Sequence, residues 1–352
     1  MTELVGAREV VGSGGTDVRQ VAVPGRRLAV RRAEPTGADA GRPGPGNPPV
    51  LLLHGVPQTS RCWLPLLEEL GRDRIVLAPD LPGLGDSEIR GPYDVHSVAA
   101  SLVALLAAEL DGVEPSEPSE SAESESSESA ESEAVEPNEP DASEVDESEA
   151  DGRDGGGGRD GVQRVDLVGH DWGGSLALAV AAARPDLVRR VVVISAPYRT
   201  VDVKRAWHIP LLGFVPPAVF TSAGAAMVRA MFRYAWKSGR PPQAMVDGYA
   251  EAYRAPERVR AMAGYYRAAV RRRRSPDGTK DPSVRAERSL VVWGTDDPPM
   301  PLRVGESVVT DLGRVNDPAT VRMVTLPGVG HWPLEEVPEI VLPLIADFLR
   351  GP

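Results

Sequence analysis

The sequence is short of several things, and each shortage excludes something. Among 352 residues there is one cysteine, Cys62, so no internal disulfide can form. The five histidines and that cysteine show no ligand spacing, so neither a metal site nor another cofactor is expected. Aromatic residues make up 5%, and none stands beside the four arginines at 271–274. That run therefore lacks a stacking platform for bases and reads as a solvated charge run, with no nucleic-acid partner expected. The longest stretch without a formal charge, 206–228, is broken by Pro210, Gly213, Pro216 and Pro217. No membrane span is expected there, only an apolar lid or core segment. Met1-Thr2-Glu3-Leu4 lacks the basic-then-apolar layout of a secretory signal. With the single cysteine, this gives a reduced, cytoplasmic compartment as the expectation.

Basic residues are scarce in one place only. The chain has 39 Lys plus Arg against 51 Asp plus Glu, a net charge of −12. Residues 111–160 hold 19 acids and two bases, a net of −17, which leaves the other 302 residues at +5. The protein is not acidic as a whole; one segment is. That segment, Ser/Glu/Pro repeats followed by Gly155 to Gly158, has no aromatic residue between 111 and 163. Such a composition cannot offset its ordering entropy by burial, and it reads as a disordered acidic insertion at 111–163. Closing a loop of about 50 residues instead of about 4 costs only about 2 kcal/mol more, so a fold can carry it.

Elsewhere strand-like and helix-like runs alternate. A hairpin is expected over 18–32 around Pro24-Gly25, and a loop rich in Gly and Pro over 36–49. Short apolar runs at 50–53, 74–78, 164–168, 191–194, 290–293 and 321–326 read as strands, most of them buried and parallel. Helix-like stretches fall at 63–70, 95–110, 175–183 and 338–349. This pattern predicts an α/β fold, a mostly parallel sheet flanked by helices. Residues 198–285 break it, being helix-like without a clear strand, and read as an inserted helical lid. The division is a core at 1–197 carrying the acidic insertion, the lid at 198–285, and the rest of the core at 286–352.

The strand at 164–168 runs directly into Gly169-His170-Asp171-Trp172-Gly173-Gly174 and then an Ala/Leu helix. Small residues two before and two after a central residue permit a tight strand-turn-helix, which exposes that side chain in a strained backbone. The central residue is Asp171. With His54-Gly55-Val56-Pro57, Asp80-Leu81-Pro82-Gly83-Leu84-Gly85-Asp86-Ser87, Trp293-Gly294-Thr295-Asp296-Asp297-Pro298 and Gly330-His331-Trp332, in that order, the chain resembles an α/β-hydrolase of the epoxide hydrolase and haloalkane dehalogenase branch. The resemblance covers nearly everything from 18 to 349 except the acidic insertion.

It implies a covalent route: Asp171 attacks carbon to give an alkyl-enzyme ester, and His331 activates the water that hydrolyses it. The carboxylate orienting His331 is expected to be Asp297, with Asp296 as rival. The oxyanion hole falls to the backbone N–H groups of Val56 and Trp172. Tyr265-Tyr266-Arg267 matches the family's lid Tyr-Arg motif, with Tyr266 the better match for a proton donor to an epoxide oxygen. Trp172, Tyr265 and Trp332 are expected to line the substrate pocket. No second lid tyrosine is identifiable among Tyr198, Tyr234 and Tyr249. Of the other histidines, His54 reads as positioning the oxyanion loop, His96 as a solvated helix residue, and His208 as a lid residue with no assignable role. Asp80 and Asp86 read as holding the turn around Gly83 and Gly85.

Haloalkane dehalogenases commonly place Asn where Val56 stands, and fluoroacetate dehalogenases place Arg where Trp172 stands; both departures favour the epoxide. The expectation is a cofactor-independent hydrolase opening a small hydrophobic epoxide to a vicinal diol. The alternatives are a haloalkane dehalogenase with the same nucleophile and a non-catalytic ligand-binding protein on the same fold. Singly, each residue has an ordinary structural reading: Asp171 a turn aspartate, Asp297 a cap before Pro298, His331 a loop histidine. Oligomeric state is not legible.

Overall fold

A computed structural model describes residues 10–11, 18–35, 47–110, 164–199, 202, 204–206, 208–219, 221–274 and 284–351. The acidic insertion expected at 111–163 lies outside these residues, as do most of the Gly/Pro loop and the side chains at 272–274.

Nine strands form one sheet: β1 (Val10–Val11), β2 (Val18–Val23), β3 (Arg26–Ala33), β4 (Val50–Leu53), β5 (Val76–Pro79), β6 (Val165–His170), β7 (Val188–Ile194), β8 (Arg288–Gly294) and β9 (Val321–Leu326). Their spatial order is β1-β2-β3-β5-β4-β6-β7-β8-β9. The first three run antiparallel and β4 to β9 run parallel. Gly25, at φ +79°, supplies the left-handed turn between β2 and β3 that the Pro-Gly pair predicts. Val50 to Leu53 are at most 1% exposed, as a strand covered on both faces requires.

The helices α1 (Leu64–Leu70), α2 (Val95–Glu109), α3 (Trp172–Ala183), α8 (Leu302–Gly313) and α10 (Pro338–Arg350) belong to this core. Asp94 caps α2 by accepting the Ser97 N–H at 2.9 Å. The sequence reading named no helix over α8, whose segment offers neither a capping box nor a side-chain N-cap. Between β7 and β8 stand α4 (His208–Phe214), α5 (Gly224–Ala235), α6 (Gln243–Ala252) and α7 (Pro256–Arg274), with no strand among the described residues there. No single helix among the described residues is long and apolar enough to cross a membrane.

The order of the parallel strands fixes where a site can form. β4 lies between β5, which follows it in the chain, and β6, which comes later. The loops leaving β4 and β6 therefore diverge, opening a crevice at the carboxyl ends of these two strands. The loop after β4 contains Val56, and the loop after β6 is the Asp171 turn.

Candidate active site

Asp171 sits between β6 and α3 at φ 49° and ψ −120°, a backbone conformation side chains rarely adopt. Its own N–H donates to the Ile194 carbonyl at 3.0 Å. The neighbouring glycines explain how the turn closes. A Cβ on Gly173 would lie 2.1 Å from the Leu53 carbonyl oxygen, and one on Gly169 would lie 2.2 Å from that of Gly173. A Cβ on Gly55 would meet the Asp171 Cβ at 2.7 Å. Asp171 thus emerges where three backbone segments touch, at the start of α3, whose N-terminal dipole favours negative charge.

The residues expected to act together do converge. His331 Nδ1 lies 2.7 Å from Asp297 Oδ2, and His331 Nε2 lies 3.7 Å from Asp171 Oδ1, an ion-pair distance longer than a hydrogen bond. The Val56 N–H donates to Asp171 Oδ2 at 2.9 Å. Trp172 opens α3, so its N–H belongs to the first turn, which has no intrahelical acceptor. Asp297 Oδ1 accepts the Met300 N–H at 2.8 Å, which fixes the carboxylate that faces His331. Asp296 is exposed and its carboxylate meets the Thr295 hydroxyl, so the rival lies outside the cluster.

Burial alone lowers His331, but Asp297 and then Asp171 outweigh it and raise its pKa to about 10. Burial pushes the Asp171 carboxyl up, yet the neighbouring His331 holds it below its ordinary value. At neutral pH the resting pair is therefore a carboxylate facing an imidazolium.

The His331 loop is held by the helical block. Its N–H donates to the Ala235 carbonyl at the end of α5 (2.9 Å), and Trp332 stacks on Phe232 of α5 with ring centroids 4.4 Å apart. A Cβ on Gly330 would fall 2.1 Å from that same Ala235 carbonyl. His54 accepts the Leu81 N–H at Nε2 (2.9 Å), so its Nδ1 carries the proton and donates to the Gly55 carbonyl (2.7 Å). Asp80 accepts the N–H groups of Ser60 and Asp86 at 2.7 and 2.8 Å, and Gly85 takes φ +51° beside it.

Two cavities open above Asp171. One, of about 350 Å³, runs over α3 past Ser175, Ala179 and Ala182 to Tyr198 and Arg199. The other, of about 220 Å³, lies under α4 and α5 against Leu212, Met227, Ala230, Met231 and Trp332. Among the described residues, only Asp171, His208 and Tyr266 line both. The ring of His208 meets that of Tyr266 edge-on at 5.8 Å. Burial, against the charge of Asp171 and with that of His331, brings its pKa to about 4, so it is neutral with one N–H. The Tyr266 ring meets that of Trp172 edge-on at 5.4 Å, and burial raises the pKa of its hydroxyl well above the ordinary value.

His208 was missed in the sequence because no motif spacing marks it; only the fold brings it over a residue 37 positions earlier. Tyr265 departs from expectation. It lines neither cavity, because its hydroxyl donates to the Pro82 carbonyl at 2.8 Å in a buried site. Adjacent residues on a helix point about 100° apart, and although both rings meet Trp172 edge-on, at 5.5 and 5.4 Å, only Tyr266 reaches the cavities. Tyr249 points instead at Glu335, at 3.2 Å. Among the described residues no group of three or more His, Cys, Asp or Glu could hold a metal ion.

Comparison with known proteins places this geometry in a lineage. A hydrolase of uncharacterized activity from Bacillus subtilis is 25% identical over 197 residues, 54% of this chain and 66% of that protein. The 2-hydroxy-6-oxo-2,4-heptadienoate hydrolase of Pseudomonas putida is 25% identical over 313 residues, 88% of this chain and 91% of that one. Epoxide hydrolase 4 of Mus musculus is 23% identical over 322 residues, 87% of this chain and 74% of that one. Among solved structures, the epoxide hydrolase CorEH without ligand matches with a TM-score of 0.66 at 18% identity, covering 95% of this chain and 98% of that one. A putative acyltransferase from Salmonella enterica matches with a TM-score of 0.68 at 21% identity, covering 97% and 98%. These structural likenesses establish the fold. The model of the alpha/beta hydrolase family matches residues 50–344, and the chain belongs to that family.

Proposed function

We propose that the protein is an epoxide hydrolase acting through a covalent ester on Asp171, with α4 to α7 as the lid over the site. The observation that carries this reading is the environment of the two Asp171 oxygens. Oδ2 is held by the Val56 N–H, Oδ1 lies 3.7 Å from His331 Nε2, and Asp171 shares both cavities with Tyr266 and His208. A carboxylate attacking an acyl group would form an anhydride, less stable than the ester it came from; attack on a strained saturated carbon forms a stable ester.

In the first step Oδ1 bonds to an epoxide carbon and the carbon–oxygen bond of the ring breaks. The departing oxygen takes a proton from Tyr266 and a hydrogen bond from the His208 N–H. Tyr266 and His208 both line the two cavities that open at Asp171. In the second step His331 takes a proton from water, and the hydroxide adds to the Asp171 carboxyl carbon. Oδ2 becomes the oxyanion, held by the N–H groups of Val56 and Trp172. Collapse expels the diol's alkoxide, which takes the proton from His331, and the proton left on the Asp171 carboxyl returns to the Tyr266 phenolate, restoring the carboxylate. The sum is epoxide plus water to diol.

Because cavities open on both sides of Asp171, the substrate carries groups on both ring carbons. The epoxide hydrolases among the similar proteins support the reaction class; the dienoate hydrolase and the acyltransferase support only the fold and hydrolase ancestry. The test is intact-mass measurement with a panel of epoxides and haloalkanes. The variant His331→Gln is expected to accumulate an adduct on Asp171, and Asp171→Asn to show neither adduct nor turnover. Multiple-turnover activity in Asp171→Ala would end the proposal.

A further inference from the structure

Behind the His331 loop lies a chain of side chains that the mechanism above does not use. Helix α9 (Pro333–Glu336) places Glu335 beside the oxyanion loop, where its Oε1 lies 2.5 Å from Gln58 Nε2. Gln58 Oε1 lies 2.7 Å from His170 Nδ1 and 3.0 Å from the Gly55 nitrogen. His170 Nε2 lies 2.7 Å from the His331 carbonyl oxygen. Gln58 and His170 are fully buried, and Glu335 Oε2 is sealed from solvent with no hydrogen-bond partner among the described residues.

Counting donors shows that these contacts need one dissociable proton. The His331 carbonyl only accepts, so His170 Nε2 must carry a hydrogen. With the Gln58 oxygen toward His170, Nδ1 must carry one too, giving an imidazolium balanced by a Glu335 carboxylate. With the Gln58 amide turned over, its NH₂ donates to a bare Nδ1, and its oxygen needs the O–H of a neutral Glu335. The first arrangement keeps the Gly55 N–H bonded; the second buries no charge. They interconvert by moving one proton from Glu335 to His170 as the amide turns. When that proton is lost, no arrangement satisfies every contact. Either lone pairs face each other or the His331 carbonyl gives up its donor, at the cost of an unmade buried hydrogen bond.

We propose that Glu335 is a positioning residue for His331: it shares one proton with His170 through Gln58, and that proton keeps an N–H on the His331 carbonyl. The backbone of His331 is then clamped on both sides, its N–H by Ala235 and its carbonyl by His170. The ionisable groups around Glu335 are few. They are the Tyr249 hydroxyl from α6, the Cys62 thiol from the turn at Ser60–Trp63, Arg61 beside Tyr249, and Glu336 on its own helix. Burial, against the bonds from Gln58 and Tyr249, raises Glu335 to about 7, and burial lowers His170 to about 3. The proton therefore rests on Glu335 and leaves it as pH rises through neutrality.

The proton-sharing part concerns the resting protein and stands apart from the epoxide reading; only its kinetic consequence rests on it. In protein labelled with ¹⁵N at its five histidines, the His170 Nδ1 resonance is expected to shift with a midpoint near pH 7. In Glu335→Gln the amide NH₂ donates to the turned Gln58 at every pH, so that shift is expected to vanish while His331 still titrates. In the full-length enzyme, the rate of ester hydrolysis is expected to fall about tenfold above neutrality in the wild type, the equivalent of one buried hydrogen bond. Glu335→Gln should keep its rate there, and Glu335→Leu should be slow throughout. A His170 Nδ1 resonance that does not move in the wild type overturns the proposal, as does one that moves equally in Glu335→Gln. Coincident pH profiles for Glu335→Gln and Glu335→Leu also overturn it. If no epoxide forms an ester, the spectroscopic result still decides the shared proton.

Discussion

Removing the charge of Asp171 should change what His331 is. The two groups are 3.7 Å apart in a buried site, and at an effective dielectric of about 20 a pair at that distance interacts by about 4 kcal/mol. That is about three decades of proton affinity, enough to take His331 from about 10 to roughly 7 in Asp171→Asn. The same change accompanies catalysis, because alkylation turns the Asp171 carboxylate into a neutral ester. His331 would then be an imidazolium while the ester forms and become a competent base only once it has formed. The assay is an NMR titration of His331 in the wild type and in Asp171→Asn, followed by single-turnover kinetics from pH 5.5 to 7.5. Ester formation should be flat across that range, since His331 stays protonated below about 10. Ester hydrolysis should rise about tenfold per pH unit at the acidic end, as the neutral base appears. If the two proteins titrate His331 alike, the assigned coupling is wrong. If ester formation instead tracks deprotonation of His331, the order of its roles is wrong.

Replacing Tyr266 by Phe or His208 by Ala should slow ester formation by at least about tenfold each, the equivalent of one hydrogen bond to a developing charge, and leave hydrolysis of a preformed ester nearly unchanged. A loss confined to hydrolysis would remove both from ring opening. Ala179→Phe and Ala230→Phe, each filling one of the two cavities, should shift the preference from epoxides substituted on both carbons toward terminal ones; an unchanged ratio of kcat/KM values in both variants would contradict the two-sided substrate. Gly173→Ala should destabilise the fold by about 3 kcal/mol, read from chemical denaturation, because its Cβ would lie 2.1 Å from the backbone oxygen of Leu53. Wild-type stability there would mean the elbow can relax. Replacing residues 113–160 by a short Gly/Ser linker should preserve turnover, since every site residue lies in the rest of the chain; substantial loss without unfolding would give the acidic segment a role.

How much of this was legible in the sequence depended on whether the signal was local. The elbow was legible because its physics is local: a strand, glycines at fixed offsets and a helix leave a central side chain only one way out. Val50 to Leu53 could be read as a buried strand because burial on both faces demands an unbroken apolar run. Asp296 and Asp297 are adjacent and chemically identical, so the sequence favoured Asp297 only through the spacing of the family motif and kept Asp296 as rival. Only the hydrogen bond from Met300, three residues on, turns one carboxylate inward and leaves the other in solvent. Tyr265 and Tyr266 pose the same problem on a helix: both rings are buried against Trp172, and only the bond of the Tyr265 hydroxyl to Pro82 tells which of the two is turned away from the cavities.

His208 and Glu335 were illegible for a further reason. Each owes its place to contacts across more than 35 positions of sequence, made by elements whose mutual packing no periodicity encodes. His208 reaches Asp171 only because α4 covers the crevice, and Glu335 reaches His170 only through Gln58, 277 residues earlier. Local rules thus locate the groups that do covalent chemistry, because a strained turn must be built from its neighbours. The groups that would tune that chemistry are recruited from wherever the fold passes by, and they are found by asking where each buried proton must go.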